Sequence, residues 1–223
     1  IFPGSQPISI EYRHFNTLAS NPYVVCEKTD GVRFMMLAFM YENKKHCIFL
    51  NRAMEMFSCP LNFRKPVYDG TIMEGEMYGD TFMIYDMLLE CGKVVGNMDF
   101  LSRLKSIENV KKMLTSLKYD PVKFKIKTFH LMSDYKTFME TYLPTVTQDI
   151  DGLIFTPVND TIKTGTHETM FKWKPRDKNT IDFQLKRVDN TWKMYVQERG
   201  KLIFESEIYD HMVPPYAVEW MED

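Results

Sequence analysis

Lys28 stands in "VVCEKTDGVRFMML", Val24 to Leu37, between two apolar runs and just ahead of Asp30, Gly31 and Arg33. A lysine is a nucleophile only as the free amine. At an ordinary pKa of about 10.4, about one lysine in 2,500 is neutral at pH 7. Desolvation or neighbouring cations must lower that pKa, and each unit costs about 1.4 kcal/mol. Arg33 would act in that direction if it shared a pocket with Lys28. Taken alone, "KTDG" favours a plainer reading, because Lys and Asp-Gly are common in solvated hairpin turns.

Three further clusters change the balance. In "MEGEM", Glu74 and Glu76 are two apart on a strand and share a face. Such a pair suits a divalent metal or ribose hydroxyls; the plainer alternative is a solvated face. In "DIDGLIFTP", Asp151 precedes Gly152 at the mouth of an apolar strand, where it meets a metal or a lysine, or simply forms a turn. In "FKWKP", Lys172 and Lys174 share one face of a strand and Trp173 takes the other. Two ammoniums so placed suit a polyphosphate, although a basic edge that deters strand pairing reads the same way. The order along the chain is KTDGVR, Asn51–Arg52, EGE, FMIYD, DGLIF and FKWKP. A candidate nucleophile, phosphate-binding lysines, an aromatic for a base and carboxylates for Mg²⁺ together describe nucleotidyl transfer.

The elements that must carry these residues follow from periodicity. "YVVCEK" and "VRFMMLAFMY" read as strands around a hairpin turn at Asp30–Gly31, and "KHCIFLNR" as a third strand. "GTIMEGEMYGDTFMIYDML" reads as two strands turning at Gly79–Asp80. Leu101, Leu104, Ile107, Val110, Leu114 and Leu117 keep helical spacing behind an Asp99 cap. "DYKTFMETYL" reads as a short amphipathic helix capped by Ser133 or Asp134. "FKIKTFHL", "GLIFTPV" and "MFKWKP" are strands, as are "TIDFQLKRV", "TWKMYVQER" and "KLIFESEIY", with turns at Asp189–Asn190 and Gly200–Lys201. "IFPGSQPISI" is an extended opening segment. The fold class is α+β with mostly antiparallel strands and flanking helices.

The 223 residues are 44% hydrophobic and 26% charged, enough for one large domain and a part of another. A net charge of −2 means that any nucleic-acid contact rests on a local basic patch. Lys118, Lys123, Lys125 and Lys127 are one candidate, a solvated face being the equal alternative. The four cysteines lack metal-ligand spacing and read as free thiols in a reducing compartment. The 17 methionines, many beside aromatics, read as adaptable core filling. No apolar run is long enough to span a bilayer, so no membrane partner is expected. The chain begins at Ile1 rather than Met, and an excised piece of a longer protein is expected.

The sequence resembles the lysine-dependent nucleotidyltransferases, which include ATP-dependent ligases, and within them the mRNA capping guanylyltransferases. "FPGSQPISI" is similar to their "FPGxQPVS", "TIMEGEMYGDTFMIYDML" to "TLLDGEM…YLIYD", and "FKWKPRDKNTIDFQLK" to "LKWKPP…NSVDFxLK". The resemblance runs at least from Phe2 to Lys186. It implies a ligase/capping-enzyme fold over residues 1–183, followed by the start of an OB-fold over 184–223. It implies that Lys28 attacks the α-phosphate of GTP with Mg²⁺ or Mn²⁺ present, forms lysyl–GMP, and passes GMP to a diphosphate-ended RNA. Arg33, Arg52 and Glu76 would hold the ribose, Tyr85 would stack on guanine and Lys127 would donate to the guanine oxygen. Asp151 would serve the metal and the lysine, Glu74 would be a second metal ligand, and Lys172 and Lys174 would meet the phosphates.

The family's lid carries an Arg-x-Asp-Lys motif that is not found here. "PRDKN" at 175–179 has the letters but belongs to the preceding strand end, and the chain closes at "VEWMED". Binding of GTP with poor reaction is therefore expected. Partners implied are GTP, RNA, RNA polymerase, and a fused or associated RNA triphosphatase or cap methyltransferase. The expected location is the nucleus for a cellular protein, or a cytoplasmic replication site or virion for a large DNA virus. An ATP-dependent polynucleotide ligase and a non-catalytic RNA- or polymerase-binding module remain as alternatives.

Overall fold

The structure, a computed structural model, describes residues 2–115, 120–175, 178, 183–189, 191–198 and 201–212. Leu117, Lys118, Asn190, Gly200, most of "PRDKN" and the closing "VEWMED" lie outside the described residues. The chain divides into two compact units, Ile1–Pro175 and Arg176–Asp223.

The first unit runs β1 (Ser5–Ser9), α1 (Phe15–Ser20), β2 (Tyr23–Thr29), β3 (Val32–Tyr41), β4 (Lys44–Asn51) and β5 (Met56–Ser58). It continues with β6 (Thr71–Tyr78), β7 (Thr81–Glu90), β8 (Lys93–Val94), α2 (Phe100–Lys111), β9 (Lys123–Ile126) and β10 (His130–Leu131). It closes with α3 (Tyr135–Thr137), β11 (Ile150–Pro157) and β12 (Gly165–Trp173). One sheet has the order β1-β12-β11-β2-β10 and the other β5-β4-β3-β6-β7-β8, with β9 beside β7. Pairing is antiparallel except for β1 with β12 and β7 with β9.

The Asp30–Gly31 turn is a corner between sheets, not a hairpin. β2 spends its hydrogen bonds on β11 and β10, and β3 pairs with β4 and β6. The Asp30 N–H donates to the Asp149 carbonyl at 2.9 Å, and Gly31 lies so close to the Met77 carbonyl that a Cβ would strike it. Lys28 and Arg33 therefore project from two different sheets. The Gly79–Asp80 hairpin forms as expected, with Tyr78 opposite Thr81.

Met36, Met73, Phe82, Ile84 and Met87 are fully buried on the larger sheet, with Ile107 and Val110 of α2 packed in the same cluster. Each such side chain contributes about 1.5–3 kcal/mol of burial. Met35, Met36, Met73, Met83 and Met87 thus fill the core, whereas Met40, Met54, Met56 and Met98 are exposed and do not. Asp99 caps α2 by accepting from the Ser102 N–H at 2.9 Å. The helix stops at Lys111, short of the sequence pattern, because Leu114 leaves it to form a bridge with Phe63. "DYKTFMETYL" is not a plain helix: one α turn, α3, passes into a π-helical turn, Phe138–Tyr142, and Asp134 makes no capping bond.

In the second unit β13 (Gln184–Val188), β14 (Thr191–Glu198) and β15 (Lys201–Tyr209) form an antiparallel sheet in that order. Among the described residues no helix is long and apolar enough to cross a membrane.

Candidate active site

β2 and β11 bring Lys28 and Asp151 together. Lys28 sits opposite Gly152 on the ladder, and its Nζ donates to Asp151 Oδ1 at 2.7 Å. Just past the end of β12, Lys174 Nζ meets the other oxygen, Oδ2, also at 2.7 Å. Gly152 permits this crowding, since a Cβ there would overlap the Trp173 carbonyl. Burial alone would raise the Asp151 pKa, but the hydrogen bonds from Lys174 and Lys28 outweigh it and hold the carboxyl below its ordinary value.

Lys28 and Lys174 line a cavity of about 540 Å³ to which both sheets contribute, with Asp151 bridging them from behind its wall. Arg52 and Lys172 line it too. Burial lowers the Lys172 pKa, and the nearby charges of Lys174, Lys28 and Arg52 lower it further. Lys28, Arg52, Lys172 and Lys174 gathered on one cavity suit a chain of phosphates. Glu76 faces the same cavity; burial raises its pKa, against the pull of Lys127, Lys28 and the Gly31 N–H.

Arg33 and Glu74 form a tight ion pair, with Glu74 only 2% exposed. Arg33 Nη2 also donates to the Ser5 carbonyl at 2.6 Å, and its guanidinium lies 5.0 Å from the centre of the Phe2 ring. Gly4 packs against this pair, where a Cβ would collide with both side chains. The segment "FPGSQP" therefore covers Arg33. The Tyr85 hydroxyl donates to Glu74 Oε1 at 3.2 Å, burial raises its pKa, and the residue lines the cavity.

The Glu74–Glu76 pair separates in role. Where β6 pairs with β7, the register shifts between Glu74 and Gly75. Glu76 lines the cavity, but Glu74 is consumed by Arg33 and Tyr85 and does not join Asp151. Glu74 thus does not fit the metal role expected from the sequence. Asp151 suits a divalent ion, because Mg²⁺ commonly takes one or two carboxylates beside phosphate oxygens and water. Among the described residues no three His, Cys, Asp or Glu side chains converge on one point.

Lys127 is buried, and its Nζ donates to Thr29 Oγ1 at 2.8 Å. It stands 3.9 Å from Glu76 Oε2 and 3.9 Å from Glu27 Oε1. Lys123 and Lys125 are exposed and Lys123 pairs with Asp80, so Lys127 is parted from the expected basic run. Two groups escaped the sequence reading. Glu27 is 1% exposed beside Lys28, and Arg103 of α2 is 2% exposed and paired with Asp86 at 2.7 Å. Their only signal was charge inside apolar stretches.

A family model described as mRNA capping enzyme, catalytic domain, matches residues 1–176. The mRNA-capping enzyme of Mus musculus is 31% identical over 206 residues, covering 83% of this chain and 34% of its own length. The mRNA-capping enzyme subunit alpha of Neurospora crassa is 29% identical over 216 residues, covering 83% and 54%. The chain thus spans between a third and about half of these relatives. Among solved structures, the ATP-dependent DNA ligase from bacteriophage T7 in complex with ATP superposes with a TM-score of 0.53 at 12% identity, covering 97% of this chain and 84% of that one. The ligase domain of LigD from M. tuberculosis gives 0.52 at 12% identity, covering 98% and 75%. At such identity these ligases establish the fold, a ligase/capping-enzyme nucleotidyltransferase fold.

Proposed function

Because the chain belongs to the mRNA capping enzyme catalytic-domain family, we propose that it is the nucleotide-transferring body of an RNA guanylyltransferase. The observation that carries this is the Lys174–Asp151–Lys28 bridge on the wall of a cation-lined cavity. Lys28 Nζ, once deprotonated, attacks the α-phosphorus of GTP. The bond to the β-phosphate oxygen breaks, pyrophosphate leaves, and a lysyl–GMP phosphoramidate remains. A β-phosphate oxygen of a diphosphate-ended RNA then attacks the same phosphorus. The P–N bond breaks, GpppN forms and the lysine is restored.

Asp151 holds Lys28 at the reaction point and stabilises its ammonium between turnovers. Lys172, Lys174 and Arg52 take the negative charge that shifts towards the leaving pyrophosphate. Tyr85 offers its ring to the base, Lys127 a donor to an acceptor on the base edge, and Glu76 an acceptor to the ribose. Arg33 acts on the ribose from its Glu74 pairing. Asp151, with the nucleotide's phosphates, would hold Mg²⁺ or Mn²⁺, which would neutralise phosphate charge. Residues 184–223 are read as the first strands of an OB-fold lid. RNA polymerase and the companion capping activities are the expected partners, and the nucleus the expected location.

Incubation of the full-length protein that carries this chain with α-labelled GTP or ATP, followed by mass spectrometry, tests the reading. GMP on Lys28, absent from Lys28→Ala, is expected. AMP on Lys28 would make the protein a ligase, and no adduct with either nucleotide would favour a binding module.

A further inference from the structure

Glu27 lies on β2 between Cys26 and Lys28, both of which line the cavity, yet it does not line the cavity itself. A carboxylate 1% exposed is costly unless its oxygens are satisfied. Three groups do this. Tyr142 OH donates to Oε2 at 3.3 Å and Gln148 Nε2 donates to Oε1 at 3.2 Å. The third is Lys127, whose ammonium is 3.9 Å from Oε1, close enough for strong attraction and too far for a hydrogen bond.

The Tyr142 contact is built by an unusual backbone. Tyr142 ends the π-helical turn Phe138–Tyr142, a geometry rare in proteins and frequent at functional sites. The turn is anchored by Phe138, which is fully buried and stacks with Tyr142 at 5.7 Å. Glu27 is thus fixed from behind by a rigid element. In front of it, Lys127 has one firm hydrogen bond, to Thr29, and two carboxylates at equal distance, Glu27 and Glu76. An ammonium has three donors. Drawn equally from both sides, it keeps a donor for a ligand. Without Glu27 it would move to Glu76 and spend that donor there.

We infer that Glu27 is a positioning residue for base selection: it balances the pull of Glu76 on Lys127 so that the ammonium stays available to an acceptor on the base edge. This rests on the nucleotide-binding reading of the cavity. The relay is Tyr142 to Glu27 to Lys127, and none of the first two touches the nucleotide.

The test compares affinities for GTP and for the triphosphate of 2-aminopurine riboside, which lacks the six-position oxygen, by calorimetry on the protein. Wild type should bind the analogue about ten- to a hundredfold more weakly, as for loss of a hydrogen bond to a charged group. Glu27→Gln, similar in shape, should shrink that ratio about three- to tenfold with the phosphate-dependent affinity kept. Tyr142→Phe, the milder variant, should shrink it less while melting near wild type. In Lys127→Met the ratio should already be small, and adding Glu27→Gln should change it no further. A ratio unchanged in folded Glu27→Gln and Tyr142→Phe, or a Glu27 effect that persists fully in Lys127→Met, overturns the inference. Failure of wild type to bind GTP at all would instead overturn the nucleotide reading.

Discussion

Two kinds of ion pair flank the same cavity, and they are built from different cations. On one side Asp151 is shared by Lys28 and Lys174, whose side chains are 24% and 25% exposed. On the other side Arg33 meets Glu74 and Arg103 meets Asp86, with the arginines 14% and 2% exposed. The lysine cluster has more cations than carboxylates; the arginine pairs are matched one to one. An arginine stays charged and grips a carboxylate with a planar fork, whereas a lysine is a compact charge that can release its proton and swing to a new partner. Charge that must move is carried by lysine, and charge that must hold the walls is carried by arginine. Glu27 and Lys127 stand at the border of the two sets.

The sharpest way to break this contrast is to exchange the cations. Lys28→Arg keeps the charge beside Asp151 but removes the nucleophile. Labelling by GTP should vanish completely, while the melting temperature stays within a few degrees of wild type. Residual lysyl adduct found by mass spectrometry would place the nucleophile elsewhere. Arg103→Met should do the reverse. It leaves Asp86 buried without its partner and should cost about 3–5 kcal/mol of stability in urea unfolding. A loss under about 1 kcal/mol would show that this pair is no wall.

A smaller effect is expected at Gly4. Gly4→Ala forces a Cβ against Glu74 and Arg33 and should cost about 1–3 kcal/mol, with weaker GTP binding. Normal stability would mean that the opening segment lifts away freely. Besides weakening the phosphate contact, Lys174→Ala should affect acid stability. The folded-state pKa of Asp151 is depressed, so its contribution is present above the ordinary carboxylate range and lost as pH falls through the depressed value. Removing Lys174 raises that value, and the acid-unfolding midpoint should move to higher pH. The least effect concerns Lys172. Its pKa is lowered, so nucleotide affinity should decline on the alkaline side at a lower pH than an ordinary lysine would give. Lys172→Arg should abolish that decline; if it persists, Lys172 does not meet the phosphates.

The lysine side was the legible one. Lys28 and Asp151 lie in short strings beside Gly31 and Gly152, and Lys172 and Lys174 flank Trp173 ahead of Pro175, where charge stands out. β6, β7 and the cap of α2 were readable for the same local reason. The arginine side depends on contacts between distant segments. Nothing in "MEGEM" says that Glu74 is claimed by Arg33, because that follows from β3 and β6 lying together under Gly4. Asp-Gly suggested a hairpin by composition, but the long-range pairing of β2 with β11 decided the corner. The π turn was invisible, since its apolar spacing fits an ordinary helix.

The parallel pairing of β1 with β12 has a consequence for biosynthesis. Ser5 Oγ donates to the Lys163 carbonyl across a sequence separation of 158. At about 5–20 residues per second, roughly eight to thirty seconds of translation separate these partners. Through that interval the cover of Arg33 has no strand to join. The ribosome therefore makes the cover of Arg33 well before its partner strand, and folding can fasten it only after β12 has emerged.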